Sequence, residues 1–129
     1  MRILIADDME YARRNIMEMV KKIFQEAEID TFSDGTHAWE AVKKREYDLL
    51  FTDVRMIRMN GPELAEKVAE KHHHTEIFFV TGEDKAELEQ LGIDSKRCIF
   101  KPYRIEDVKK CLKENKVFEF GGFGNELRP

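Results

Sequence analysis

Five short apolar runs punctuate the chain: Ile3–Ala6, Ile29–Phe32, Leu49–Phe51, Ile77–Val80 and Ile99–Phe100. All but the second, which carries Asp30 and Thr31, contain no polar residue. That is the pattern of strands covered on both faces. Between the runs the apolar spacing becomes helical. Met9, Ala12, Ile16, Met19, Val20 and Ile23 share one face, and Ala38, Ala41 and Val42 mark a helix after the Asp34-Gly35 turn. Leu64, Ala65, Val68 and Ala69 form a further face behind Pro62, a residue suited to a first helical turn. Ile105, Val108 and Leu112 make the last. Strands alternating with helices predict a doubly wound, five-stranded parallel α/β sheet with right-handed crossovers. Such sheets bind ligands beyond the carboxyl ends of their strands.

Composition narrows the picture. With 129 residues, 42% hydrophobic and 37% charged, the chain is long enough for one well-formed core and too apolar for disorder. No run approaches the roughly 20 apolar residues of a membrane span, and no signal pattern follows Met1, so a cytoplasmic protein without membrane contact is expected. A net charge of −4, with basic residues interspersed among acidic ones, weighs against direct nucleic-acid binding. Cys98 and Cys111 form neither a C-x-x-C motif nor a disulfide framework and read as buried thiols. The domain is expected to span residues 1–117. Residues 118–129, "FEFGGFGNELRP", read as a tail or the start of a linker. Its Phe118, Phe120 and Phe123 could pack along the last helix, cover an output face, or lead to a further domain.

The strand ends carry the chemistry. The first run stops on Asp7 and Asp8, two like charges at the rim of an apolar core, which is unfavourable unless something positive joins them. The third run ends at Asp53, the fourth at Thr81-Gly82, and the fifth at Lys101-Pro102. Capping of the first helix would explain one aspartate, but not two together with Asp53. His72-His73-His74 reads as a solvated helix end rather than a metal cluster, and Trp39 as packing.

This ordered set resembles the receiver domain of bacterial two-component response regulators over roughly residues 2–117, and Met56, Met59 and Gly61 add a partial match in the loop after Asp53. The resemblance implies a flavodoxin-like (βα)5 fold with strand order 2-1-3-4-5. It implies that magnesium or manganese is held by Asp8, Asp53 and the backbone carbonyl of Arg55, with Asp7 acting through water. A hard cation with oxygen ligands would relieve the carboxylate repulsion. Asp53 would accept a phosphoryl group from a sensor histidine kinase or phosphotransfer protein. Lys101 would pair with Asp53 at rest and with a phosphoryl oxygen afterwards, Thr81 would donate its hydroxyl to another, and Gly82 would leave space beside it. Pro102 would fix Lys101 through a cis bond. The chain would be a phosphoacceptor that assists its own phosphorylation and dephosphorylation rather than an enzyme. Its output would run through the face of the fourth helix, fifth strand and fifth helix to a protein target or output domain, or to a phosphorylation-dependent homodimer.

Three departures from the family pattern stand out. Cys98 occupies the place of an aromatic three residues before the lysine, Ile57 replaces a proline after Asp53, and the segment 82–97 leaves room only for a short helix because "LGIDSK" breaks its period. Arg55 and Glu83, two residues beyond Asp53 and Thr81, are expected to pair across the site and restrict attacking water. Two other classes fit less well. A phosphatase of the haloacid dehalogenase type needs an aspartate where Arg55 stands, and a flavodoxin needs a phosphate cradle where Asp7-Asp8 would repel phosphate. A receiver-like interaction module that is never phosphorylated stays open as the alternative.

Overall fold

A computed structural model of the protein describes residues 1–117. The tail at 118–129, with the three phenylalanines considered above, lies outside the described residues. The apolar runs become strands β1 (Arg2–Ala6), β2 (Glu28–Phe32), β3 (Leu49–Thr52), β4 (Glu76–Thr81) and β5 (Cys98–Phe100). They alternate with helices α1 (Glu10–Ile23), α2 (Gly35–Lys44), α3 (Gly61–Lys71), α4 (Lys85–Gln90) and α5 (Ile105–Glu114). All neighbouring strands are parallel, and their order is β2-β1-β3-β4-β5, the doubly wound flavodoxin-like arrangement.

Burial on both sides explains the uninterrupted apolar runs. Ile3, Ile5, Leu49, Phe51, Phe78, Val80 and Ile99 turn to one side of the sheet and pack with Ile16, Val20 and Ile23 of α1 and Val108 and Leu112 of α5. Leu4, Ala6 and Leu50 turn to the other, against Ala38 and Val42 of α2 and Leu64 and Val68 of α3. A smaller cluster of Val54, Phe79, Leu88, Ile93 and Cys98 lies under α4. Each fully buried aliphatic side chain contributes about 1.5–3 kcal/mol. Sheet and helices are thus held mainly by two apolar layers.

Sequence periodicity misplaced two residues. Met9 is not on the buried face of α1 but is its N-cap, 61% exposed, because the helix begins only at Glu10. Ala69 of α3 faces outward. The fourth helix is short, as its broken period predicts. Asp84 caps it, accepting from the Glu87 amide at 2.8 Å. Gly92, at φ +75, turns the chain so that the Ile93 amide bonds back to the Leu88 carbonyl at 2.9 Å. That left-handed position suits glycine and ends the helix after six residues. No helix among the described residues is long and apolar enough to cross a membrane.

Candidate functional site

The strand ends meet at one rim because parallel pairing continues just past each strand. The Asp53 amide donates to the Ala6 carbonyl at 2.9 Å and the Asp7 amide to the Phe32 carbonyl at 3.1 Å, so these residues emerge from neighbouring strands. At the other edge, the Lys101 amide donates to the Thr81 carbonyl at 2.8 Å. One carboxylate oxygen from each of Asp7, Asp8 and Asp53 lies within 4.8 Å of the others, with Asp7 buried, Asp8 exposed and Asp53 between. Lys101 reaches in from β5: its Nζ stands 3.4 Å from Asp7 Oδ2 and 3.7 Å from Asp53 Oδ2. The expected pairing with Asp53 is therefore shared, and the shorter contact goes to Asp7. The Lys101-Pro102 peptide bond is cis.

Electrostatics single out Asp53. Its carboxyl is pushed up to about 6, first by burial and then by the Asp7 charge, against the pull of Lys101 and of the Val54 amide. That amide donates to Asp53 Oδ1 at 2.7 Å. Three carboxylates facing one ammonium leave an excess of two negative charges when all are ionised. A divalent cation with oxygen ligands matches both the donor set and the surplus charge. The residues present fit a magnesium or manganese ion.

The remaining predicted residues surround this cluster. Thr81 is buried, and its Oγ1 accepts from the Glu83 amide at 3.0 Å, which leaves the hydroxyl proton to be donated. No atom lies within 4 Å of where a Cβ on Gly82 would stand, so there is open space beside Thr81. Arg55 and Glu83 form the expected ion pair, through Arg55 Nε and Glu83 Oε1. Hydrogen bonding to Glu87 and then to Arg55 holds the Glu83 carboxyl below the usual carboxylate range.

Cys98 fills its position as core: it packs with Phe79, Leu88 and Ile93, and burial pushes its thiol up to about 11. Both cysteines are free and buried. His72 faces the Val42 carbonyl and His74 pairs with Glu46, so the histidines do not converge on an ion. Among the described residues, Asp7, Asp8 and Asp53 form the acidic group able to hold a metal. Trp39 packs into the cluster beneath α2 and α3, with Lys67 over its ring.

Sequence reasoning named Gly61 without its role and missed two further supports. The Thr52 hydroxyl donates to the Asp53 carbonyl at 2.9 Å. A Cβ on Gly61 would fall 2.0 Å from that same carbonyl oxygen, so α3 begins directly against the Asp53 backbone. Arg58 pairs with Asp34, 24 residues away in sequence. Gly61 had a signal, in the Met59-Asn60-Gly61 stretch. The Arg58–Asp34 pair had none, because neither residue lies on a periodic face.

A family profile, the response regulator receiver domain, matches residues 3–113. Among curated proteins, the sensory transduction protein LytT of Bacillus subtilis is 29% identical over 90% of this chain and 48% of its own length. The chain thus spans about half the length of that relative. A two-component transcriptional regulator AraC from Clostridium phytofermentans has a solved structure that superposes with a TM-score of 0.73 at 31% identity, covering 88% of this chain and 90% of that one. Response regulator protein TrrA from Thermotoga maritima, solved with Mg2+ and BeF, gives a TM-score of 0.73 at 25% identity, covering 88% of this chain and 96% of that one.

Proposed function

The chain belongs to the response regulator receiver domain family, and from that membership and the geometry of its rim we propose that Asp53 accepts a phosphoryl group in a magnesium-dependent reaction. The observation that carries this reading is the meeting of Asp7, Asp8 and Asp53 within 4.8 Å of one another, with Lys101 in ion-pairing reach of Asp7 and Asp53. Asp53 Oδ2 attacks phosphorus in line with the bond to a donor imidazole. The acyl phosphate O–P bond forms, the N–P bond breaks, and the imidazole leaves and is reprotonated from solvent. Asp8, Asp53 and the Arg55 carbonyl would hold the metal directly, with Asp7 behind a water. A divalent ion held there would supply positive charge between the carboxylate and the incoming phosphoryl oxygens. A neighbour of the same fold, TrrA, was solved with Mg2+ and BeF, which supports a divalent ion at this rim.

The chain's own groups do the rest. Lys101 moves its ammonium from the Asp7–Asp53 pair to a phosphoryl oxygen. Thr81 donates its hydroxyl to another, turning toward the site in the open space beside Gly82. The phosphoryl group adds roughly −1.5 to −2 charge, and the Thr81 shift drags the Glu83 amide bonded to it and hence the start of α4. The α4–β5–α5 face is where that change would be read by a protein target, an attached output domain or a second copy. A sensor histidine kinase or phosphotransfer protein would be the donor, with the transfer taking place in the cytoplasm.

Acetyl phosphate with Mg2+, followed by intact mass, tests the reading. The expected result is gain of one phosphate by the wild-type chain and none by Asp53→Asn. No gain in the wild type under conditions that charge a control receiver would overturn it. It would favour the silent interaction module, the reading to which Cys98 and Ile57 lend support.

A further inference from the structure

The loop 54–60 leaves the acceptor and reaches α3 with an unusual anchor. Arg58 stands in the left-handed region at φ +66, where a non-glycine residue carries a cost of about 1–2 kcal/mol. Its guanidinium Nη1 donates to Asp34 Oδ2 at 3.2 Å, and the Asp34 side chain is only 4% exposed. The other Asp34 oxygen accepts from the His37 amide at 2.8 Å, capping α2, and Oδ2 also faces His37 Nδ1 at 2.7 Å. The contact between loop and helix is backbone-close: a Cβ on Gly35 would sit 2.1 Å from the Met59 carbonyl oxygen. Met56 and Met59 pack beneath, while Ile57, 60% exposed at the tip, anchors nothing.

We propose that Arg58 and Asp34 are positioning residues for the metal site. This rests on the receiver reading above. The buried carboxylate holds Arg58 in a backbone conformation it would otherwise leave. That conformation in turn fixes where the preceding residues, and above all the Arg55 carbonyl, stand relative to Asp53. An ordinary surface ion pair would contribute little to stability. Here one partner is buried and the other end of the link is a strained backbone, so the pair acts on geometry. A cap for α2 alone would need Asp34 but not Arg58.

Coulomb's law separates the two roles. Removing a cation near a divalent-ion site should tighten metal binding if charge alone matters. Positioning predicts the reverse. Mg2+ titrations of the full chain by calorimetry would compare wild type with Arg58→Ala, Arg58→Gly, Asp34→Asn and the double variant Asp34→Asn/Arg58→Ala. Arg58→Gly removes the conformational cost along with the guanidinium and so preserves folding, and Asp34→Asn retains a helix-capping oxygen. The expected result is a Mg2+ affinity about three- to tenfold weaker in Arg58→Ala and in Asp34→Asn, less weakened in Arg58→Gly, whose backbone takes the left-handed conformation unaided, and no weaker in the double variant than in the weaker single one. Unchanged or tighter binding in both Arg58 variants, with normal binding by the wild type, would overturn the positioning role alone. A wild-type chain that takes up no Mg2+ would overturn the metal reading as well.

Discussion

The two halves of the rim are supported very differently. Asp7, Asp8 and Asp53 emerge from β1 and β3, interior strands lying under the long helices α1, α2 and α3 and fully buried on both faces. Thr81, Glu83 and Lys101 emerge from β4 and β5, beside a three-residue edge strand and the six-residue α4, whose cluster holds only five buried residues. The acidic half is the more heavily packed, while the other half carries the groups that would respond to charge placed on Asp53. A thinly supported element opens at lower free energy than the core beside it. On the proposed reading, Thr81 drawn toward new negative charge would shift α4 and leave the more heavily packed acidic half in place.

Core truncation gives the largest expected contrast. Leu50→Ala, in β3, should cost about 3–4 kcal/mol of global stability in urea denaturation. Leu88→Ala, equally buried but in α4, should cost less globally and instead speed amide exchange across residues 79–98; equal global losses would break the comparison.

A smaller effect is expected in the acidic half itself. With the Asp53 carboxyl near 6 in the metal-free protein, protons compete with Mg2+, so affinity should fall about tenfold between pH 7 and pH 5. Calorimetry at several pH values would show it, and a flat profile would mean that Asp53 is not a ligand. The same raised value makes ionised Asp53 destabilising. Stability should therefore be lost as pH rises from about 4 through about 6, the window between its unfolded and folded values. Metal-free Asp53→Asn should accordingly be more stable than wild type by roughly 1 kcal/mol at pH 7, after discounting for solvent screening. The gap should close as pH falls through that window.

The smallest expected effect concerns the bridge between the halves. Arg55→Ala and Glu83→Gln should each shorten the aspartyl-phosphate lifetime by roughly two- to fivefold, since an exposed pair contributes only modestly. Unchanged lifetimes in both would show that the pair does not screen the site.

Much of the acceptor half was legible because its physics is local. An unbroken apolar run ending in a charge marks both a buried strand and the place where it surfaces, as at Ala6-Asp7 and Thr52-Asp53. Arg55 and Glu83 could be matched because each lies two residues past a site residue, Asp53 or Thr81, at the ends of adjacent strands. The strand β2 was faint because it is an edge strand whose Asp30 and Thr31 need not be buried. The unequal sharing of Lys101 between Asp7 and Asp53 depends on tenths of an ångström across the sheet. The Arg58–Asp34 pair depends on a left-handed backbone position that an arginine does not advertise.

The approach of α3 to the acceptor has an evolutionary corollary. On the receiver reading, descendants of this chain can vary Arg55 and retune how long a signal lasts, because its side chain is 65% exposed. At Gly61 they have no such latitude. Even one added methyl would strike the carbonyl of Asp53, the proposed acceptor, so drift there would reach the chemistry itself and not merely its timing.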